Sequence, residues 1–231
     1  MRAGVPFQRI LEPSERMELE FVDLRSDADA LETARKLIRE RVTRPFDLEL
    51  DTSFRVSLFQ VAQDEHVLLF LYHHIVIDEW SNGVLIAEFG ELYASLVEGR
   101  PSVLRAPAIQ FADFAIWEAE EADSERHAAG LKFWGDYLLG VDPRITWPFG
   151  NETTEGHGRT EHVSFKWSAE TSNAIRAMAR QNDHSDFVVI YALTSACLCR
   201  YTGDRDLVIA VPATTRERAE LQTLIGFLLN T

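Results

Sequence analysis

Two adjacent histidines, His73 and His74, close an apolar run in residues 71–83, LYHHIVIDEWSNG, and Asp78 follows four residues after the second. Imidazole changes protonation near neutrality, so a histidine in a cleft suits proton transfer or the orientation of an amine or hydroxyl nucleophile. Adjacent strand residues face opposite sides. One ring of the pair therefore faces a site, and the other faces packing and holds the loop by hydrogen bonds. An aspartate nearby either fixes a histidine tautomer or pairs with a distant arginine to hold the turn. The plain alternative is that both histidines are hydrogen-bonded structural residues. A metal centre is the weaker reading, because the rings diverge and no third ligand stands close in sequence.

The elements that must position these residues can be read around them. Residues 53–62 and 66–74 read as two strands, and the polar 63–65 between them reads as a hairpin turn. The second strand is nearly all apolar, which predicts burial on both faces. Ser81 opens a helix through about residue 97, with Gly99 past its end and Pro101 beyond. Before the hairpin, residues 17–24 read as a strand and 26–42 as a helix. Ser26 caps that helix, Asp29 sits in its first turn, and Leu31, Ala34, Leu37 and Ile38 form its apolar stripe. Pro45 ends it.

Beyond Pro101, residues 107–140 read as one or two helices ending at Gly140. Residues 148–160, Gly-rich and polar, read as a linker between two lobes. A strand is expected over 161–167. Ser168 caps a helix over 169–182, and a second helix over 187–203 is apolar on nearly every side, as in a packed interior. Residues 206–216 and 224–231 read as further strands. A chain that stops inside an apolar strand leaves edge hydrogen bonds unmet, so the sequence reads as a piece of something longer.

The bulk properties narrow the function classes. With 231 residues and 46% hydrophobic content, the chain can bury a core in one large domain or two small ones. A net charge of -14 argues against nucleic acid and membrane as partners, since an acidic surface repels phosphate backbones and anionic lipid heads. Cys197 and Cys199 point to different sides of a helix and read as buried free thiols of a reducing compartment. No signal-peptide core and no bilayer-length apolar run is present, which predicts a cytoplasmic protein.

The segment HHIVIDEWS (73–81) resembles the HHxxxDG motif of nonribosomal peptide synthetase condensation domains, which belong to the chloramphenicol-acetyltransferase-like acyltransferases. RPFDLELDTSFRVSLFQ (44–60) resembles the family's R-P-F-D-L segment, with Arg55 at the position of the arginine that follows it. IQFADFAIWE (109–118) is similar to Y-x-D-F/Y-A-x-W, with Phe111 for the tyrosine. FWGDYLLG (133–140) is similar to Y-W-x-x-x-L-x-G. Residues 201–231 resemble the G-x-P-x-x-x-R stretch running into I-G-F-F-V-N-T. Order and spacing fit across nearly the whole chain.

The resemblance implies an α/β (α+β) fold of two lobes in a V with a tunnel between them. Residues 1–147 would form a nearly complete first lobe, 148–160 the linker and 161–231 part of the second. It implies amide bond formation between a donor acyl or peptidyl thioester and the amine of an acceptor aminoacyl thioester. Both would hang on phosphopantetheine arms of donor and acceptor carrier proteins, with an adenylation domain adjacent. No metal or domain-bound cofactor is implied. His74 matches the catalytic histidine, which would orient the amine, take its proton or stabilise the zwitterionic tetrahedral species. His73 and Asp78 would be supports, with Asp78 paired to an arginine across the lobes, Arg216 rather than Arg55. Gly83 would let backbone approach the tunnel, or serve simple helix packing. Trp80 reads as core packing rather than a substrate stack.

The departures from the pattern open a second reading. Glu79 stands where the motif has glycine. A side chain there is unfavourable if the position needs positive φ, and a carboxylate beside an imidazole favours its charged form, a poorer base. The family's N-terminal S-P-x-Q-x-x-x-W-type segment is absent, and family domains continue past the N-T element. A non-catalytic relative that docks carrier proteins or recruits an enzyme is therefore the alternative. Epimerisation and ester-forming relatives share the site. The intact His73-His74 pair argues against cyclisation domains, and the flanking motifs argue against a plain coenzyme A acetyltransferase.

Overall fold

The computed structural model describes residues 7–10, 18–145 and 163–231. These fall into two compact units, Met1–Glu120 with Pro212–Thr231, and Glu121–Val211. The expected linker, 148–160, lies outside the described residues.

In the first unit, β1 (Leu19–Asp23) leads through α1 (Ala30–Val42) to β2 (Phe54–Gln60), which pairs with β1 in parallel. β3 (His66–Tyr72) returns antiparallel to β2, giving the order β1-β2-β3. The turn closes where the Val61 and Ala62 N–H groups both donate to the Glu65 carbonyl. On one face of the sheet, buried Leu24, Ala34 and Phe59 pack with Leu37, Ile38, Val67 and Leu69. On β3 the alternate residue Phe70 meets Phe89 of α2 (Glu79–Glu98) edge to face at 5.2 Å. Both faces of β3 are thus approached, but its residues are half-buried at most, so the burial expected from its continuous apolar run is only partial.

α1 starts later than the sequence suggests. Asp29 is its N-cap, accepting the Glu32 N–H, and Ser26 lies outside it. A carboxylate is as good a cap as a hydroxyl, and three acceptors within four residues left the choice open. α2 ends as expected, on Gly99 in the left-handed conformation with φ +65.

α3 (Phe111–Ala122) and α4 (Glu125–Tyr137) are two helices, broken where Ser124 caps the second. Phe114 of α3 packs with Leu221, Leu224 and Leu228 in a second buried cluster. The expected strand over 206–216 survives as two residues, β4 (Ala213–Thr214), paired with β5 (Leu229–Asn230). Pro212 stands just before β4 and has no N–H to donate to a ladder. The expected 161–231 segment is thus divided, because its last twenty residues pack with the first unit.

In the second unit α5 (Ala169–Gln181), capped by Ser168, packs on α6 (Asp186–Thr202), capped by Ser185. Residues 163–167 form no strand. The packed interior expected around α6 is not found among the described residues. Val189 is its buried residue, while Phe187, Val188 and Leu193 are exposed. Cys197 is exposed and Cys199 half-buried, so the thiols are free but not buried. One neighbouring helix covers one side of α6, and an all-round apolar helix needs several.

Candidate active site

The strand β3 delivers both histidines to one loop, and the loop turns between them. The His73 N–H donates to the Ser53 carbonyl at 2.9 Å and so ends the β-ladder. The His73 carbonyl then accepts the Val76 N–H at 3.1 Å, closing a turn. The half-buried ring of His73 is held on its own loop: Nδ1 accepts the Ile75 N–H at 3.1 Å, which leaves the ring proton on Nε2. Phe46 stands edge-on against it at 6.0 Å. The turn leaves the His74 side chain exposed, with the ring of Phe227 edge-on at 5.4 Å.

Arg55 serves His73 indirectly. Its guanidinium lies 4.0 Å over the Phe46 ring and donates to the Arg44 and Pro45 carbonyls and to Asp51 at 2.6 Å. The R-P-F-D segment is thereby fastened against the loop.

Asp78 is the N-cap of α2, one turn earlier than a helix opening at Ser81. Its Oδ1 accepts the Ser81 N–H at 2.7 Å and its Oδ2 accepts the Leu228 N–H at 3.0 Å. Nη2 of Arg216 donates to both oxygens at 3.1 Å. Burial pushes the Asp78 carboxyl up, but hydrogen bonds from Ser81, the Leu228 N–H and Arg216 outweigh it and hold it below its ordinary value. Arg216 also donates through Nη1 to the Leu221 and Leu224 carbonyls. Its Nε is buried without a partner among the described residues. The expected partner of Asp78 is thus Arg216 rather than Arg55, and both belong to the same compact unit.

Two residues of this network had no functional role in the sequence reading. Ser81, fully buried, donates Oγ–H to the Gly226 carbonyl at 2.9 Å and accepts from the Gly226 N–H at 3.1 Å and from Arg216 at 2.6 Å. Gly226 also takes the Asp78 N–H on its carbonyl at 3.2 Å. A Cβ on Gly226 would stand 2.2 Å from the Phe111 ring, so glycine is required by space. The signal available was the serine inside the WSNG tetrapeptide and the glycine of the IGF element.

Glu79 and Gly83 both lie at the start of α2. Glu79 is the first helical residue of α2, and among described non-glycine residues the left-handed region holds Asp183, not Glu79. Its backbone carries no penalty for a side chain, and a carboxylate favours the positive end of a helix. Burial first, and then the Glu79 charge, push the Tyr72 hydroxyl up. Gly83 is exposed, and a Cβ there would meet nothing within 4 Å. Trp80 is half exposed and donates Nε1–H to the Gln222 carbonyl at 2.8 Å, a tie to the C-terminal segment rather than core packing.

The loop lies outside the cavity of about 500 Å³ beneath α1, whose Glu20 and Arg41 pair with each other and whose Ser57 donates to Glu20 at 2.7 Å. Among the described residues no group of three or more His, Cys, Asp or Glu side chains could hold a metal ion. No described helix is long and apolar enough to cross a membrane.

A double histidine on a strand-end turn is tied through Asp78 and Arg216 to the G-F-L-L-N-T segment, in an α/β fold shared with solved condensation domains. The chain belongs to the condensation-domain family, whose model matches residues 1–231. It is 32% identical over 235 residues to malpinin synthetase of Mortierella alpina, covering 99% of this chain and 3% of that protein. It is 34% identical over 235 residues to phosphinothricin tripeptide synthetase PhsC of Streptomyces viridochromogenes, covering 99% of this chain and 21% of that protein. The first condensation domain of the calcium-dependent antibiotic synthetase shares the fold at TM-score 0.70 and 23% identity, over 99% of this chain and 51% of that one. The X-domain from teicoplanin biosynthesis matches at TM-score 0.78 and 26% identity, over 92% of this chain and 47% of that one. The chain thus spans about half the length of these solved relatives and a small part of the synthetases.

Proposed function

We propose that the chain contributes to amide bond formation between two carrier-bound thioesters. The amine of an acceptor aminoacyl thioester attacks the carbonyl carbon of the donor thioester. The C–S bond of the tetrahedral species breaks, the donor arm leaves as a thiol, and the lengthened acyl chain remains on the acceptor arm. The net proton moves from the attacking nitrogen to the departing sulfur. His74 is the proposed catalytic residue, orienting the amine, carrying that proton or stabilising the zwitterion. Much of the rate comes from holding two tethered reactants in contact.

One observation carries this reading: the loop leaves the His74 ring exposed, while half-buried His73 is hydrogen-bonded within the loop and Asp78 is buried in an ion pair. In this account His73, Asp78 and Arg216 are supports, Glu79 contributes charge at the start of α2, and Gly83 leaves open space above the helix. The substrates arrive on phosphopantetheine of donor and acceptor carrier proteins, with an adenylation domain loading the acceptor. The free thiols Cys197 and Cys199 fit a reducing cytoplasmic setting.

The likeness to the teicoplanin X-domain favours one second reading, a docking module. A structure of that X-domain in complex with OxyB is among the matches, at TM-score 0.75 and 25% identity. Intact-mass measurement of an acceptor carrier, after mixing with a loaded donor carrier, separates the two. It is run with this chain and with a version extended to the relatives' domain length. A gain of one acyl unit supports condensation. Carrier binding without any gain in the extended version supports docking.

A further inference from the structure

We infer that Phe227 is a positioning residue for His74, through which the buried Asp78–Ser81–Arg216 network acts on the proposed active site. The inference rests on the catalytic reading of His74. The two rings meet at 5.4 Å with an interplanar angle of 78°, edge to face. The histidine is exposed, and the phenylalanine is itself 40% exposed, so the pair stands at the surface of the loop rather than in the core.

The backbone on either side of Phe227 is pinned. Gly226 gives its N–H to Ser81 and takes hydrogen bonds on its carbonyl from Ser81 and from the Asp78 N–H. Leu228 gives its N–H to Asp78 Oδ2 and its carbonyl accepts the Thr215 N–H at 3.1 Å. Leu228 is fully buried against Phe114, Leu221 and Leu224. In extended chain the side chain between two inward residues points outward, and here it points at His74. Gly226 adds to this, because the missing Cβ lets the segment lie against Phe111.

The consequence is a fixed wall. An exposed imidazole samples several rotamers, whereas proton transfer or amine orientation needs one. A ring flanked by two hydrogen-bonded residues blocks part of that freedom. The network therefore does more than stabilise the fold.

The test uses selectively ¹³C-histidine-labelled protein, with the His74 signal assigned by His74→Gln, and the transfer assay on the extended version. In Phe227→Leu the cross-relaxation between the His74 ring protons and the phenyl ring disappears and the His74 signals move. kcat falls about tenfold with KM little changed, the mark of misplaced reacting groups rather than lost binding. Phe227→Tyr, which keeps the ring, restores both. Unmoved His74 signals in Phe227→Leu overturn the inference, and so does an unchanged kcat. If Phe227→Leu is fully active while His74→Ala is inactive, the positioning role alone fails. If His74→Ala retains transfer, the catalytic reading fails and takes the positioning role with it.

Discussion

Asp78 and Arg216 stand 138 residues apart in sequence and meet at 3.1 Å with side chains 0% and 1% exposed. Removing one partner of such a pair leaves the other charge buried and uncompensated. Asp78→Ala is expected to cost about 3–5 kcal/mol of unfolding free energy. The same change strips the N-cap of α2 and the acceptor of the Leu228 N–H. Urea unfolding measures it. A loss below about 1 kcal/mol would place this position among ordinary exposed ion pairs.

Gly226 predicts a coupled pair of substitutions. In Gly226→Ala the new methyl meets the Phe111 ring, which itself packs on Phe114 at 5.8 Å. Overpacking of this kind costs about 1–3 kcal/mol. Phe111→Leu in the same chain makes room and recovers part of the loss. A double-mutant cycle reads the coupling, and strictly additive effects would show that the ring is not the obstacle.

Glu79 is accommodated by helical backbone at the start of α2. Replacing it by glycine loses helix propensity and a favourable charge at the helix N-terminus, about 1 kcal/mol together. Glu79→Gly therefore lowers Tm and brings no gain in transfer rate, while Glu79→Gln isolates the charge. A faster Glu79→Gly enzyme would contradict this.

Glu20 supplies a pH dependence. Hydrogen bonds from Arg41 and then from Ser57 hold its carboxyl down at about 2, against 4.5 ordinarily. A group with a depressed folded pKa adds stability above the unfolded value and loses it as pH falls through the folded one. The Tm gap between the parent chain and Glu20→Gln is thus full above pH 5 and closes between about 4.5 and 2. Half of this side chain is exposed, so screening limits the gap to about 1 kcal/mol. A gap that widens on acidification would invert the assignment.

Much of this architecture was legible because local signals agreed. The hairpin turn at 63–65, Gly99 after α2 and Ser168 before α5 each combine a pattern with a cap or turn residue. Failures fall where a competing residue or a distant partner decides. Asp29 outcompetes Ser26, and Asp78 caps α2 ahead of Ser81, the expected opening residue. The run 206–216 looks like a strand by composition but finds a partner at two residues. Ser81 and Gly226 carry no periodicity, and their roles arise from contacts 145 residues apart. β3 ends at Tyr72, short of the expected 74, so a turn rather than strand alternation exposes His74, and nothing in the sequence marked Phe227 as the ring against it.

The most direct test of the account is single-turnover transfer, read by intact mass on the acceptor carrier, for the extended parent protein and its His74→Ala variant. His74 is exposed, so the substitution is expected to leave Tm unchanged. One added acyl unit is expected with the parent and none with His74→Ala. Equal transfer by a well-folded His74→Ala protein would contradict it.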